Sequence, residues 1–209
     1  MTDIIVDTFT DSDGVGLAAH TPDTNIPGNP WVSVAGVWKI LSNKTYPSSS
    51  VTNPHSSIDS TYADCSVQVD ITLISTSSRT GLIARYTDPN NYWGLTLSIS
   101  SGLLELIERN GGTVYARASI SVTIANGETH TLKLVMSGTN FTGTMDGANT
   151  ITYSSSSFQS NTVHGIRGTN SQTTERHDNF SVTIPSGGLT FRRSLQAKIG
   201  RTDLIYASH

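Results

Sequence analysis

Cysteine is nearly absent. Cys65 stands alone, which excludes an intrachain disulfide, and its place in an alternating stretch makes it a buried small hydrophobe rather than a nucleophile. No apolar run approaches the length that spans a bilayer, and Met1-Thr2-Asp3 opens the chain without the basic segment and apolar core of an export signal. Synthesis in a cytoplasm is therefore expected, and the Asn-x-Ser/Thr sequons at Asn43, Asn140 and Asn179 read as chance products of a Ser/Thr-rich chain. Helix formers are scarce and no stretch of useful length carries a helical apolar period, so helices have no room. Reaction signatures are missing too: there is no Gly-x-Ser-x-Gly elbow, no phosphate-cradling glycine loop, and no pair at metal spacing among the six histidines.

What is abundant is hydroxyl and turn residues: 29 Ser, 29 Thr and 18 Gly among 209, beside 35% hydrophobic and 14% charged residues. That balance favours strands and turns and still allows a real core, so one domain with appendages is expected. The formal net charge of −3 hides an asymmetry. Residues 1–184 carry nine Lys/Arg against fifteen Asp/Glu, net −6, whereas residues 185–209 carry four against one, net +3. The acidic body should repel nucleic acid, and no membrane partner is expected.

From Cys65 to Leu73 the alternation has no fault: Cys65, Val67, Val69, Ile71 and Leu73 share one face, and Ser66, Gln68, Asp70 and Thr72 the other. That is a half-buried antiparallel strand. The same period runs through 93–99, 114–120, 132–136 and 180–184, and weaker strands fit 34–41, 81–86, 103–108, 140–145, 149–153 and 162–167. Asp88-Pro89-Asn90-Asn91 suits a tight turn, while Asn110-Gly111-Gly112 and Ala125-Asn126-Gly127 supply the positive φ that hairpins need. Short strands at this spacing predict an all-β fold, two antiparallel sheets packed face to face over residues 1–184. Two stretches fall outside the rhythm. Residues 42–60, rich in Ser, Pro and Asn, read as a long exposed loop, and residues 185–209 read as an extended docking arm whose partner contacts would be Phe191, Arg192, Arg193, Leu195, Ile199, Leu204, Ile205 and Tyr206.

Several segments then occur in a familiar order: Asp7-Thr-Phe-Thr-Asp-Ser-Asp-Gly14, Gly36-Val-Trp-Lys-Ile40, Gly81 through Trp93, Leu104-Glu-Leu-Ile-Glu108, Gly127 through Leu134, and Asp178-Asn-Phe-Ser-Val182. From about residue 5 to 184 the set resembles the concanavalin A-like lectin/glucanase superfamily in its laminin G-like form. The resemblance implies a jelly roll whose first and last strands lie together. It also implies roles that range from sugar binding through glycoside hydrolysis to adhesive or capsid-decorating parts of bacteriophage particles. Within that range, a signal-free single domain with an apolar, basic arm points to a non-catalytic virion protein, capsid-decorating or tail-associated. It would be held to other virion proteins by its arm and form a homo-oligomer. A free carbohydrate-binding module is the second reading, and a glycoside hydrolase the last.

Relatives of the laminarinase type carry catalytic acids an even number of residues apart on one strand face. Glu105 and Glu108 are three apart, so they should point to opposite faces and read as solvated surface charges. The histidines likewise read as surface or turn residues. Sugar binding needs exposed rings beside hydrogen-bonding side chains. Trp31, Tyr46, Tyr86, Tyr92 and Tyr115, with Arg85, Asn90, Asn91 and Arg117 alongside, are the candidates, packing being the alternative for the tyrosines, whereas Trp38 and Trp93 read as core. No cofactor is required. Calcium is the one ion with a candidate cluster, Asp7, Asp11 and Asp13 with Asp178 brought near by the terminal strands, against the ordinary reading that these aspartates cap turns.

Overall fold

Alternation in the chain becomes strands, and the central strands bury their apolar sets, whereas the edge strand Thr113–Ser121 leaves Val114 and Tyr115 exposed. A computed structural model describes residues 1–49, 51–74, 79–169 and 175–185. The first eight strands are β1 (Thr2–Asp7), β2 (Thr24–Asn25), β3 (Val32–Ala35), β4 (Trp38–Ile40), β5 (Thr45–Pro47), β6 (His55–Asp59), β7 (Ser66–Leu73) and β8 (Arg79–Asp88). They are followed by β9 (Asn91–Ser98), β10 (Leu103–Asn110), β11 (Thr113–Ser121), β12 (Thr129–Ser137), β13 (Asn140–Met145), β14 (Asn149–Ser154), β15 (Val163–Arg167) and β16 (Glu175–Ile184). Among the described residues the one helical element is a 3-10 turn at Leu17–Ala19, and no helix is long and apolar enough to cross a membrane.

The strands form two antiparallel sheets. One has nine strands in the path β14-β13-β12-β7-β16-β1-β2, with β5 on β16 and β4 on β5; the other has seven, β11-β10-β9-β8-β15-β6-β3. First and last strands pair, from Thr2 opposite Ile184 to Asp7 opposite Phe180, as the resemblance implied. Cys65, Val67, Val69, Ile71 and Leu73 from one sheet share a core cluster with Leu82, Ala84, Trp93, Leu95, Leu97, Leu104 and Leu106 from the other. Each fully buried Leu or Ile contributes about 2 kcal/mol through the apolar area it removes from water. Trp38 and Trp93 are core, as expected.

The expected loop over 42–60 is instead partly sheet, since β5 and β6 lie within it. His55-Ser56-Ser57-Ile58-Asp59 has one large apolar residue, so its pattern carries no alternation; it is a strand because β15 and β3 pair with it on both sides. The turn glycines behave as read, with φ of 58° at Gly111, 83° at Gly112 and 89° at Gly127. One irregularity matters for the site. The β8–β9 register slips between Ala84 and Asp88, and Arg85 takes φ 46°, a bulge that turns Arg85 inward and Tyr86 outward. The candidate arm residues Phe191, Arg192, Arg193, Leu195, Ile199, Leu204, Ile205 and Tyr206 lie outside the described residues.

Candidate functional site

Strand register lays out the face of the seven-stranded sheet that turns away from the core. One row across β6, β15, β8, β9 and β10 reads His55, Arg167, Gly81, Thr96, Glu105, and the next reads Ser57, Gly165, Ile83, Gly94, Ile107. Its glycines are forced. A Cβ on Gly81 would stand 2.0 Å from the Leu95 carbonyl oxygen, and one on Gly165 2.0 Å from that of Ser56. Tyr86 and Tyr92 join Ile83 in a second apolar cluster, separate from the main core. Their rings stack at 5.9 Å, and the His55 ring meets them at 5.5 and 5.7 Å.

The polar atoms of this cluster are under-satisfied. The Tyr86 hydroxyl, Nε2 of His55 and Nε of Arg109 are buried without a hydrogen-bond partner, and the Tyr92 hydroxyl and the Arg167 guanidinium face each other with no carboxylate beside them among the described residues. His55 Nδ1 donates to the Asn53 carbonyl at 2.8 Å, which leaves Nε2 of the neutral ring as an acceptor. Burial lowers the His55 pKa, the bond to Asn53 opposes it, and the charges of Arg167 and Arg109 lower it further, so the ring is neutral at neutral pH. Burial also depresses the Arg167 guanidinium; Tyr92 opposes this, and Arg79 and Arg109 add to it. The Tyr86 phenol is pushed up by burial, then by Asp88 and Tyr92.

Beside this cluster lies a pocket of about 440 Å³. Tyr86, Val32, Val34, Val163 and Pro30 form its apolar wall, and Asn29, Ser57, Asp59 and Thr87 supply oxygen and nitrogen atoms. Val32 is 52% exposed, so an apolar rim faces solvent. Because Tyr86 lines the pocket and also touches His55, one ring joins the pocket to the cluster behind it.

Of the aromatic candidates, Tyr86 and Tyr92 come together here. Trp31 does not: it is 1% exposed, and its indole N–H donates to Asp7 at 2.7 Å. Arg85 is interior, paired with Asp64 at 3.0 Å, donating to the Gly138 carbonyl at 2.8 Å, and lying over the Phe141 ring. Tyr115 sits on the edge strand β11 under Arg117, which pairs with Glu108 at 2.7 Å. Tyr46 stacks under Arg176. Asn91 braces the β8–β9 turn through Asp88 and Gly111, while Asn90 reaches Arg109 at 3.5 Å, at the border of the site.

The four candidate calcium ligands are engaged with other groups. Asp7 accepts from Trp31, His20 and Phe9, Asp11 from His20 and Ser12, and Asp13 from Ser42, while Asp178 pairs with Lys44 at 3.2 Å. Among the described residues no group of three or more His, Cys, Asp or Glu is placed to hold a metal ion. Glu105 and Glu108 do point to opposite faces, but they are not solvated: they are 5% and 2% exposed and paired with Arg79 and Arg117. His20, His55, His130, His164 and His177 are buried rather than surface residues.

Sequence reasoning missed His55, Arg79, Arg109 and Arg167. The arginines were within reach, because Leu103, Glu105, Ile107 and Arg109 alternate on one face and Gly165 and Arg167 repeat the pattern. His55 had no such signal.

No family model and no curated protein matches the sequence. Solved structures do match. A carbohydrate-binding module, CBM66 from Bacillus subtilis, aligns over 74% of this chain and 95% of its own with a TM-score of 0.64 at 17% identity. The GH43 protein BlXynB from Bacillus licheniformis gives 0.61 at 15% identity, and a xylan β-1,4-xylosidase from Bacillus halodurans C-125 gives 0.59 at 13%. Each of these two covers 86% of this chain, which spans 39% of their length. The fold is a jelly-roll β-sandwich of the concanavalin A-like kind. At such identities the likeness is one of fold, and this jelly roll's function has to come from its own face.

Proposed function

We propose that the protein binds glycans without catalysis, on the outward face of the seven-stranded sheet. The observation that carries this is the pocket walled by Tyr86 and three valines, backed by the Tyr86 hydroxyl and a histidine nitrogen that lack partners. The C–H face of a sugar ring fits an apolar wall, and its hydroxyls are donors and acceptors for Asn29, Ser57, Asp59 and Thr87. Fold likeness to a carbohydrate-binding module supports the reading. Hydrolysis is disfavoured because Glu105 and Glu108, on opposite faces and each in an ion pair, cannot flank one glycosidic bond. Neither fold nor neighbours support the virion role, whose arm lies outside the described residues, so glycan binding takes its place as the leading reading.

A glycan array on the full chain tests this. Binding is expected, and Val32→Asp, a charge placed on an exposed position of the pocket rim, should weaken it by about tenfold or more. Silence across the array with folded protein would remove the proposal, as would binding indifferent to Val32→Asp.

A further inference from the structure

The outward face holds three guanidiniums, those of Arg79, Arg109 and Arg167, coupled closely enough that Arg79 and Arg109 both act on Arg167. One carboxylate faces them. Glu105 pairs with Arg79 at 2.6 Å, while Arg109 and Arg167 have no carboxylate partner among the described residues. Arg167 is 5% exposed. Its Nη2 donates to the side-chain oxygen of Asn53 and the guanidinium also faces the Tyr92 hydroxyl, both neutral groups, so Nε and Nη1 meet no counter-charge. Arg109 reaches Asn90 at 3.5 Å, a weak contact, and its Nε is also unpartnered. A guanidinium removed from water without a counter-charge is destabilising, and a ligand that supplied the counter-charge would relieve that cost. Gly81 and Gly165, which neighbour Arg167 in register, can bear no side chain that would neutralise it. The unsatisfied donors are therefore built into the sheet.

We propose that the glycan taken by this face is acidic, with the oxyanion of a uronate carboxylate or a sulfate ester seated against Arg167 and Arg109. The proposal rests on the glycan reading above and names its ligand class. Guanidinium-to-oxyanion hydrogen bonds are charge-assisted and short, and each of the two arginines has an unused N–H to give. The sugar ring would lie along Tyr86, the residue common to the pocket and the cluster, with His55 Nε2 accepting from a ring hydroxyl.

The test is calorimetric titration of the full chain with three oligosaccharides: oligogalacturonate, which bears carboxylates; κ-carrageenan oligosaccharide, which bears sulfates; and neutral xylohexaose. At least one acidic ligand is expected to bind about tenfold or more tightly than the neutral one, and to weaken as sodium chloride is raised. Which of the two binds identifies the oxyanion. Arg167→Met, close in volume and apolar, should retain the fold and lower acidic affinity about tenfold. Arg109→Gln, at a half-buried position, should lower it too and carries the test if Arg167→Met fails to fold. Equal affinity for acidic and neutral ligands would overturn the acidic assignment while leaving glycan binding intact. A preference that survives both substitutions would overturn it as well, as would sodium sulfate alone binding as tightly as the acidic oligosaccharides. No binding of any oligosaccharide would sink the glycan reading itself, and this inference with it.

Discussion

Asp7 is fully buried and fully engaged, accepting from the Trp31 indole at 2.7 Å, His20 Nε2 at 2.9 Å and the Phe9 amide at 2.7 Å. Burial raises its pKa, and the bonds from Trp31, His20 and Phe9 pull against that rise. His20 meets a second carboxylate, Asp11, at 3.0 Å; desolvation lowers its pKa, but the bonds to Asp11 and Asp7 outweigh it and the net shift is upward. Asp7→Ala would strand the indole N–H and one side of the imidazole. A loss of about 3 kcal/mol is expected, read as a lower thermal midpoint by calorimetry, with Asp7→Asn losing less. At Cys65, burial pushes the thiol up to about 12. The native protein should therefore resist iodoacetamide at neutral pH and react only after unfolding; labelling of the folded protein, followed by mass spectrometry, would contradict this.

Among the elements, β8 shows how one displaced residue makes a site. Without its bulge, alternation would put Arg85 on the outward face beside Ile83 and bury Tyr86. The bulge reverses the two. Inside, Arg85 holds Asp64 and the Gly138 carbonyl, which ties β8 to the loops before β7 and after β12. Arg85→Ala should cost about 2 kcal/mol in urea denaturation, because it empties a buried position and leaves the Gly138 carbonyl without its donor, and should disturb the tyrosine signal in near-ultraviolet circular dichroism. On β15, Gly165→Ala would drive a Cβ into the Ser56 carbonyl and force β6 away, so lower stability and loss of glycan binding should appear together. Strands with large apolar residues in alternation, such as β7, are legible in the amino-acid sequence alone. β6 is not, because its buried residues include His55, Ser56 and Ser57, which fill space between neighbouring strands without a hydrophobic period.

Across the whole molecule, two histidines set the acid limit. Burial lowers His164 to about 4 and His177 to about 3, both below the value of about 6.5 expected in an unfolded chain. The unfolded state therefore binds more protons than the native state below about pH 6.5, so stability falls as pH drops from there toward 4, by at most about 1.4 kcal/mol per pH unit for each histidine. His20, with its raised pKa, opposes part of this, since its contribution is present below its unfolded pKa and lost as pH rises through its folded one. Thermal midpoints between pH 7 and 4 should show the decline, and His164→Gln should flatten it; a midpoint independent of pH would refute the assignment. The sequence by itself determined the sandwich, because side-chain direction along a strand depends only on neighbours in the chain, and period-two hydrophobicity therefore specifies which face is buried. Tertiary structure alone decided the site. Which strands stand side by side, where register slips, and which arginines find no carboxylate depend on pairings between residues far apart in the chain: Arg167 meets Gly81, His55 and Tyr92 only once β15 lies between β8 and β6.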